Sequence, residues 1–358
     1  MSNSGLTCVI TIHGIGFQKA PDDEKGIAGY ADELHGNLKR SLKEALGEDP
    51  ERPHGGAVYV SSEYPPQTRD IEEGLKRIGQ WKADGTVTTD RPLTREGASI
   101  AHVALVYSGD EEHVADPLAG TVLALLGAGG MTGYASPIGL LRIFGDSLDG
   151  LLHHQTPAPR PAETEAAAAA GSNAVTALVD HVGGYVARNK LRERVRMFVR
   201  DAINRLAARP DVKNIVINSH SNGTVIAFDV LPRIWPSQSA KLSLFVTAGC
   251  PLRKYMFLMS WGHEIISWPS VRWLNYYDID DVVADQLQPD HDTQLTGLAS
   301  MGGPGLFVNY AIDLRPIPVE DRQISNVKAS KHPHNYWADP IFCESLAQEI
   351  GKIAEITM

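Results

Sequence analysis

NIVINSHSNGTVIAFDVL, residues Asn214 to Leu231, joins an apolar run to a helical pattern through Ser219-His220-Ser221-Asn222-Gly223. A buried parallel strand reads as a short β-branched run bounded by turn residues, and Asn214 to Asn218 is such a run. A strand that bends sharply into a helix needs small residues two before and two after the bend. Gly223 meets the later requirement and Ser219 stands where glycine is usual in the earlier one. The result is a near match to the G-x-S-x-G turn, which projects a serine hydroxyl from the apex between strand and helix. A serine-rich loop between two elements is the plain alternative. Of the two serines, Ser221 occupies the apex, where the N-terminus of the following helix favours a developing anion.

Other apolar runs extend this pattern in both directions. Leu6 to Ile12, Ala57 to Val60, Ala101 to Tyr107, Leu242 to Thr247 and Val271 to Tyr277 read as strands. Between them, Tyr30 to Leu46 and Val182 to Ala208 carry apolar residues at helical spacing. The expectation is an α/β fold, a mostly parallel sheet flanked by helices. On the second helix Arg188, Arg192, Arg196 and Arg200 recur every fourth residue. They read as a solvated face, or alternatively as a patch for anionic lipid headgroups.

The chain has 358 residues, 43% of them hydrophobic, enough for a large core in one domain. Its formal net charge of -10 argues against a broad nucleic-acid surface, which needs clustered Lys and Arg. The three cysteines, Cys8, Cys250 and Cys343, form no CxxC pair and sit in apolar contexts, so they read as buried thiols in a reducing compartment. The N-terminus runs straight into a strand without a signal-peptide pattern, and a cytoplasmic location is expected.

Pro117 to Leu141 contains no charged residue. Its glycines and Pro137 argue against one straight membrane span, and a cap of short apolar helices is expected, with peripheral membrane contact as an alternative use. Thr156 to Ser172 is rich in Pro and Ala and reads as a flexible linker. The domain layout expected is one hydrolase-like domain, residues 1–358, with residues 111–177 inserted as a cap or lid.

Three further segments carry chemistry. CVITIHGIGF ends a strand in His13-Gly14, which resembles the oxyanion-hole loop of many lipases and esterases and so implies backbone N–H donors at Ile15 and Asn222, the plain alternative for Gly14 and Gly16 being an ordinary strand-to-loop turn. His13 precedes the first donor and reads as structural. VRWLNYYDIDDVVAD ends a strand in Asp278, Asp280, Asp281 and Asp285, a cluster that can supply the acid that orients a catalytic histidine, cap a helix or bind a cation. KHPHNYWADP places His332 and His334 in a late loop, where a general base belongs in such a fold. Nucleophile, acid and base then follow one another in the order of the α/β-hydrolases, not the chymotrypsin or subtilisin order.

Four blocks, VITIHGIG, VINSHSNGTVIAFDVL, NYYDIDDVVAD and HPHNYW, give the chain a resemblance to the lipase-like α/β-hydrolases, which include bacterial triacylglycerol lipases and relatives of the GPI inositol-deacylases. NYYDIDDVVAD resembles that group's N-x-x-D-x-x-D-P-V loop with Val282 in place of proline, which implies Asp281 as the acid over Asp278. HNYW resembles the stretch around the group's histidine, which implies His334 over His332. The resemblance implies a Ser221–His334–Asp281 triad that cleaves a carboxylic ester of a small molecule or lipid, without metal or organic cofactor. Thioesterase, amidase and acyltransferase activities share that chemistry, and a non-catalytic binding protein on the same fold is the alternative from another class.

Overall fold

The computed structural model describes residues 5–14, 20–62, 71–107, 189–252, 271–278, 281, 284, 286–287, 319–324 and 335–356. Seven strands appear among them: β1 Leu6–Ile12, β2 Val58–Ser61, β3 Ile100–Val106, β4 Val212–His220, β5 Leu242–Ala248, β6 Arg272–Tyr277 and β7 Val319–Gln323. They form one sheet in the order β2-β3-β1-β4-β5-β6-β7. Every neighbouring pair is parallel. Six of the seven follow from the apolar runs. β7, Val-Glu-Asp-Arg-Gln, does not, because it is charged, as strands at a sheet edge commonly are, and among the described strands it lies at one of the two edges. The strand-like run at residues 306–317 lies outside the described residues, as does the whole expected cap and linker, residues 111–177.

Helices cover both faces. Described helices are α1 Asp32–Leu42, α2 Ile71–Leu75, α3 Asn189–Ala208, α4 Asn222–Val230, α5 Pro236–Ser239 and α6 Pro340–Ile353. The pleat sends successive strand residues to opposite sides. Cys8, Ile10 and Ile12 of β1, with Ile215 and Ile217 of β4, pack against Phe198, Ala202, Leu206 of α3 and Val225 of α4. Val9 and Val216, one residue out of phase, face Leu34 and Leu38 of α1 and Phe342, Leu346 and Ile350 of α6. Burial of each such side chain is worth roughly 1.5–3 kcal/mol. This two-sided burial explains why the strands read as unbroken apolar runs. The expected burial of the cysteines also holds for Cys8, Cys250 and Cys343.

The α3 arginines are not a uniform solvated row. Arg196 grips Asp229 of α4 at 2.7 and 3.0 Å. Further along, fully buried Arg209 donates to the carbonyls of Ile78 and Arg91 and to Asp211, while Arg205 reaches Glu72 and the Gly79 carbonyl. The basic residues of this helix therefore tie the α2 region and α4 to the layer. Among the described residues no helix is long and apolar enough to cross a membrane.

A buried polar row crosses the α1 side of the sheet. Asn218 Nδ2 lies 3.4 Å from Thr11 Oγ1, which is 2.7 Å from His102 Nε2. His102 Nδ1 lies 3.2 Å from His35 Nδ1, and His35 Nε2 lies 3.1 Å from Glu48. An ionised carboxylate only accepts, so neutral His35 carries its proton on Nε2 and accepts at Nδ1. His102 then carries its proton on Nδ1 and accepts from Thr11. All donors in the row thus point towards Glu48. Burial works against ionisation of Glu48, but Lys39, the Gly56 N–H and His35 outweigh it and hold its carboxyl below the usual range.

Burial likewise holds His102 well below the usual imidazole value, and it lowers His35 although Glu48 and Asp32 act the other way. In the window between these lowered values and the unfolded value of about 6.5, the unfolded chain binds more protons. The stabilisation is therefore complete above that window and is lost as pH falls through it. Urea unfolding between pH 7.5 and 5.5 should show stability falling by up to about 1.4 kcal/mol per pH unit for each histidine. His102→Gln should flatten that slope, and an unchanged slope in the variant would refute the assignment.

Candidate active site

Two strands that neighbour one another only in the sheet, β1 and β4, lie side by side at its centre. After β1 the chain moves out to β2 and back to β3, then crosses to β4 and proceeds the other way. The strand order therefore reverses between β1 and β4, and open α/β sheets bind ligands at the C-terminal edge of such a switch point. Ser221 sits there, directly after β4 and directly before α4.

Its backbone is at φ 54° and ψ −131°, a strained region for a residue with a side chain. The strain is held from both sides. The Ser221 N–H donates to the Ala248 carbonyl at 3.0 Å, and its own carbonyl accepts from the N–H and hydroxyl of Thr224 at 3.0 and 2.6 Å. A serine at a helix N-cap ordinarily turns its hydroxyl onto the first-turn N–H groups. The Ser221 side chain makes no such bond. Ser221 is half-buried, and α4, with its positive end, begins at the next residue. Ser219 is fully buried, and its hydroxyl donates to the Val246 carbonyl at 2.8 Å, so the departure from glycine at this position is accommodated without positive φ.

The end of β1 presses against this turn. A methyl group on Gly14 would lie 2.6 Å from Ser221 Cβ, 2.9 Å from its Oγ and 3.2 Å from the Asn222 nitrogen. A methyl on Gly223 would lie 2.4 Å and 2.5 Å from the Ile12 and His13 carbonyl oxygens. Neither position has room for any side chain. Tyr30 clamps the strand ends by donating to the Thr11 and Leu105 carbonyls at 3.0 and 2.8 Å, and the Tyr107 hydroxyl donates to the His13 carbonyl. The His13 ring donates from Nδ1 to the Gly14 carbonyl at 2.6 Å and packs against Tyr30, His220 and Trp337. His13 is thus packed into the β1 exit.

The third element comes from β6. Asp278 and Asp281 follow it, both buried, with Asp281 fully so. The Asp281 N–H donates to the Asp278 carbonyl at 3.1 Å, closing a tight turn. Asp281 Oδ2 accepts the Tyr336 hydroxyl at 2.9 Å, and that hydroxyl accepts the Asp278 N–H at 2.8 Å. The Tyr336 ring lies 5.8 Å from that of His220, the residue before Ser221. The β1 exit, the Ser221 turn and the Asp281 turn thus share one aromatic cluster at the C-terminal edge of the sheet.

Of the residues singled out from sequence, Ser221, Asn222 and Asp281 are placed here. Ile15 and His334, with Asp280, Asp285 and His332, lie outside the described residues. Sequence reading did not single out Tyr336, Tyr30 or Tyr107, because a tyrosine that serves as a clamp looks like any apolar core residue until its hydroxyl partner is known. Among the described residues no group of three or more His, Cys, Asp or Glu side chains is placed to hold a metal ion. Comparison with protein-family models, with curated proteins and with solved structures found no match to this chain.

The packing at the two glycines sets a contrast. Gly223→Ala drives a methyl into backbone oxygens and should destabilise the fold by about 1–3 kcal/mol or more. Gly36→Ala, on α1 with nothing within 4 Å of the new methyl, should stabilise by about 0.5–1 kcal/mol. Urea melts of both variants check this. A neutral Gly223→Ala would show that β1 does not close on the turn.

Proposed function

We propose that this chain is a serine hydrolase of the α/β-hydrolase type that cleaves a carboxylic ester through Ser221. The observation that carries the proposal is the strained, uncapped Ser221 between β4 and α4, with the glycine end of β1 packed against its hydroxyl. Strained backbone persists where surrounding structure over-determines it, and such sites cluster where chemistry is done. A structural turn would gain from a glycine at this φ and from a capping hydroxyl. Ser221 supplies neither benefit.

In this reading His334 removes the Ser221 proton as the hydroxyl oxygen attacks the ester carbonyl. The N–H groups of Asn222 and Ile15 hold the oxyanion, and Gly14 leaves the space above Ser221 that the carbonyl carbon needs. His334 then protonates the leaving alcohol, and a water molecule activated by the same histidine releases the acid. Asp281, fully buried, orients His334 and stabilises its imidazolium. Support for Asp281 over Asp278 comes from the Tyr336 hydroxyl, which donates to the Asp281 carboxylate but takes only a backbone proton from Asp278. The apolar stretch Pro117 to Leu141 is proposed as a cap that receives the acyl chain of a small-molecule or lipid ester.

A fluorophosphonate probe tests the reaction class, because it labels only an activated serine. The wild-type chain should be labelled and should hydrolyse aryl esters, and Ser221→Ala should lose both, with a fall in rate on the order of 10⁴ or more. Ser219→Ala should retain both. Labelling that survives Ser221→Ala would end the proposal.

A further inference from the structure

We infer that Tyr336 is a positioning residue that fixes the Asp281 carboxylate for the base, an inference that rests on the hydrolase reading above. The hydroxyl has one proton and one neighbour on each side. It accepts the Asp278 N–H at 2.8 Å, so its proton is directed to Asp281 Oδ2 at 2.9 Å. Both partners belong to the same turn after β6, so the carboxylate is held relative to its own backbone by an external phenol. Asp281 is fully buried and Tyr336 nearly so, which removes water as a competing donor.

Burial together with the neighbouring Asp281 charge holds the Tyr336 phenol well above its ordinary value. Tyr336 therefore stays protonated across any working pH and always donates. A hydrogen bond to a buried carboxylate also offsets part of its desolvation cost. With Oδ2 committed, the carboxylate cannot rotate without breaking this bond, and the direction in which it accepts an imidazole N–H is set.

The sequence supplies a second link. Tyr336 follows His334 by two residues, at most about 7 Å of extended chain. The segment that carries the proposed base therefore also carries the group that aims the acid towards it. Tyr336 is anchored in turn by Asp339, whose side chain caps α6 by accepting the Phe342 N–H at 2.9 Å, and by edge contact with Phe342.

The rival role for Tyr336 is packing against His220 and Phe342, which phenylalanine would preserve. The test is the second-order rate of Ser221 labelling by a fluorophosphonate, measured from pH 5 to 9 in wild type, Ser221→Ala and Tyr336→Phe. Tyr336→Phe should slow labelling about 10- to 100-fold, the range for losing one hydrogen bond to a charged group. Its acidic limb should move to higher pH, because the carboxylate freed of the phenol proton stabilises the imidazolium more strongly. Unchanged rate and limb in Tyr336→Phe overturn the inference while the hydrolase reading stands. A slower rate with an unmoved limb also overturns it, in favour of packing. Wild type that resists labelling overturns the hydrolase reading itself and this inference with it. Should Tyr336→Phe fail to unfold cooperatively, Asp281→Asn is added to it. Recovery of a cooperative melt supports the charge-holding role, and no recovery refutes it.

Discussion

The site depends on a close approach between the end of β1 and the turn at Ser221. Gly14 and Gly223 are what make it possible, one on each side of the contact. A parallel pair brings the C-terminal ends of β1 and β4 to the same edge, and the register Ile12 opposite Ser219 brings them level. Any side chain at either glycine would push the strand ends apart and open the space around the Ser221 hydroxyl. The strained dihedrals of Ser221 are tolerable because Ala248, Thr224 and the β1 exit fix its surroundings independently. The core, apolar on both faces, supplies the stability that holds this one unfavourable residue in place.

Polar groups inside a sheet buried on both sides need partners, and here they form directed chains. Asn218, Thr11, His102 and His35 lead to Glu48. Trp273 donates to Thr247, Thr247 to Asn275, and Asn275 to Asp321. The Asp278 N–H and the Tyr336 hydroxyl lead to Asp281. Each chain ends on a carboxylate, which only accepts and so sets the direction of every donor before it. The first two carboxylates are partly exposed, on the flank of α1 and on the edge strand. Asp281 is the exception, fully buried at the C-terminal edge beside the Ser221 turn. Burying a carboxylate is costly unless hydrogen bonds compensate it, and the Tyr336 hydroxyl supplies one such bond to Asp281.

Much of this was legible in the chain itself. Continuous β-branched runs report strands buried on both faces, since no face alternates with water, and that alone indicates a parallel sheet with helices on either side. Ser219-His220-Ser221-Asn222-Gly223 between such a run and a helical pattern marks a sharp turn, because only small residues fit there. β7 escaped notice for a physical reason: Val319 to Gln323 is an edge strand whose Glu320 and Arg322 serve surface ion pairs with Arg272 and Glu349, so it carries no apolar signature. The α3 arginines misled in the same way, because a repeat every fourth residue cannot distinguish a solvated charge from Arg196 paired with Asp229.

The sequence by itself determined six of the seven described strands, the α/β class and which serine stands at the apex, since these depend on local pattern and on steric limits within a few residues. Tertiary structure alone decided the strand order, the contact of Gly14 with Ser221 and the bond of Tyr336 to Asp281. The last two join residues 55 or more positions apart in the chain, from Asp281–Tyr336 to Gly14–Ser221. Periodicity reports which side of an element is apolar, and it carries no information about which distant atom a hydroxyl or a glycine will meet.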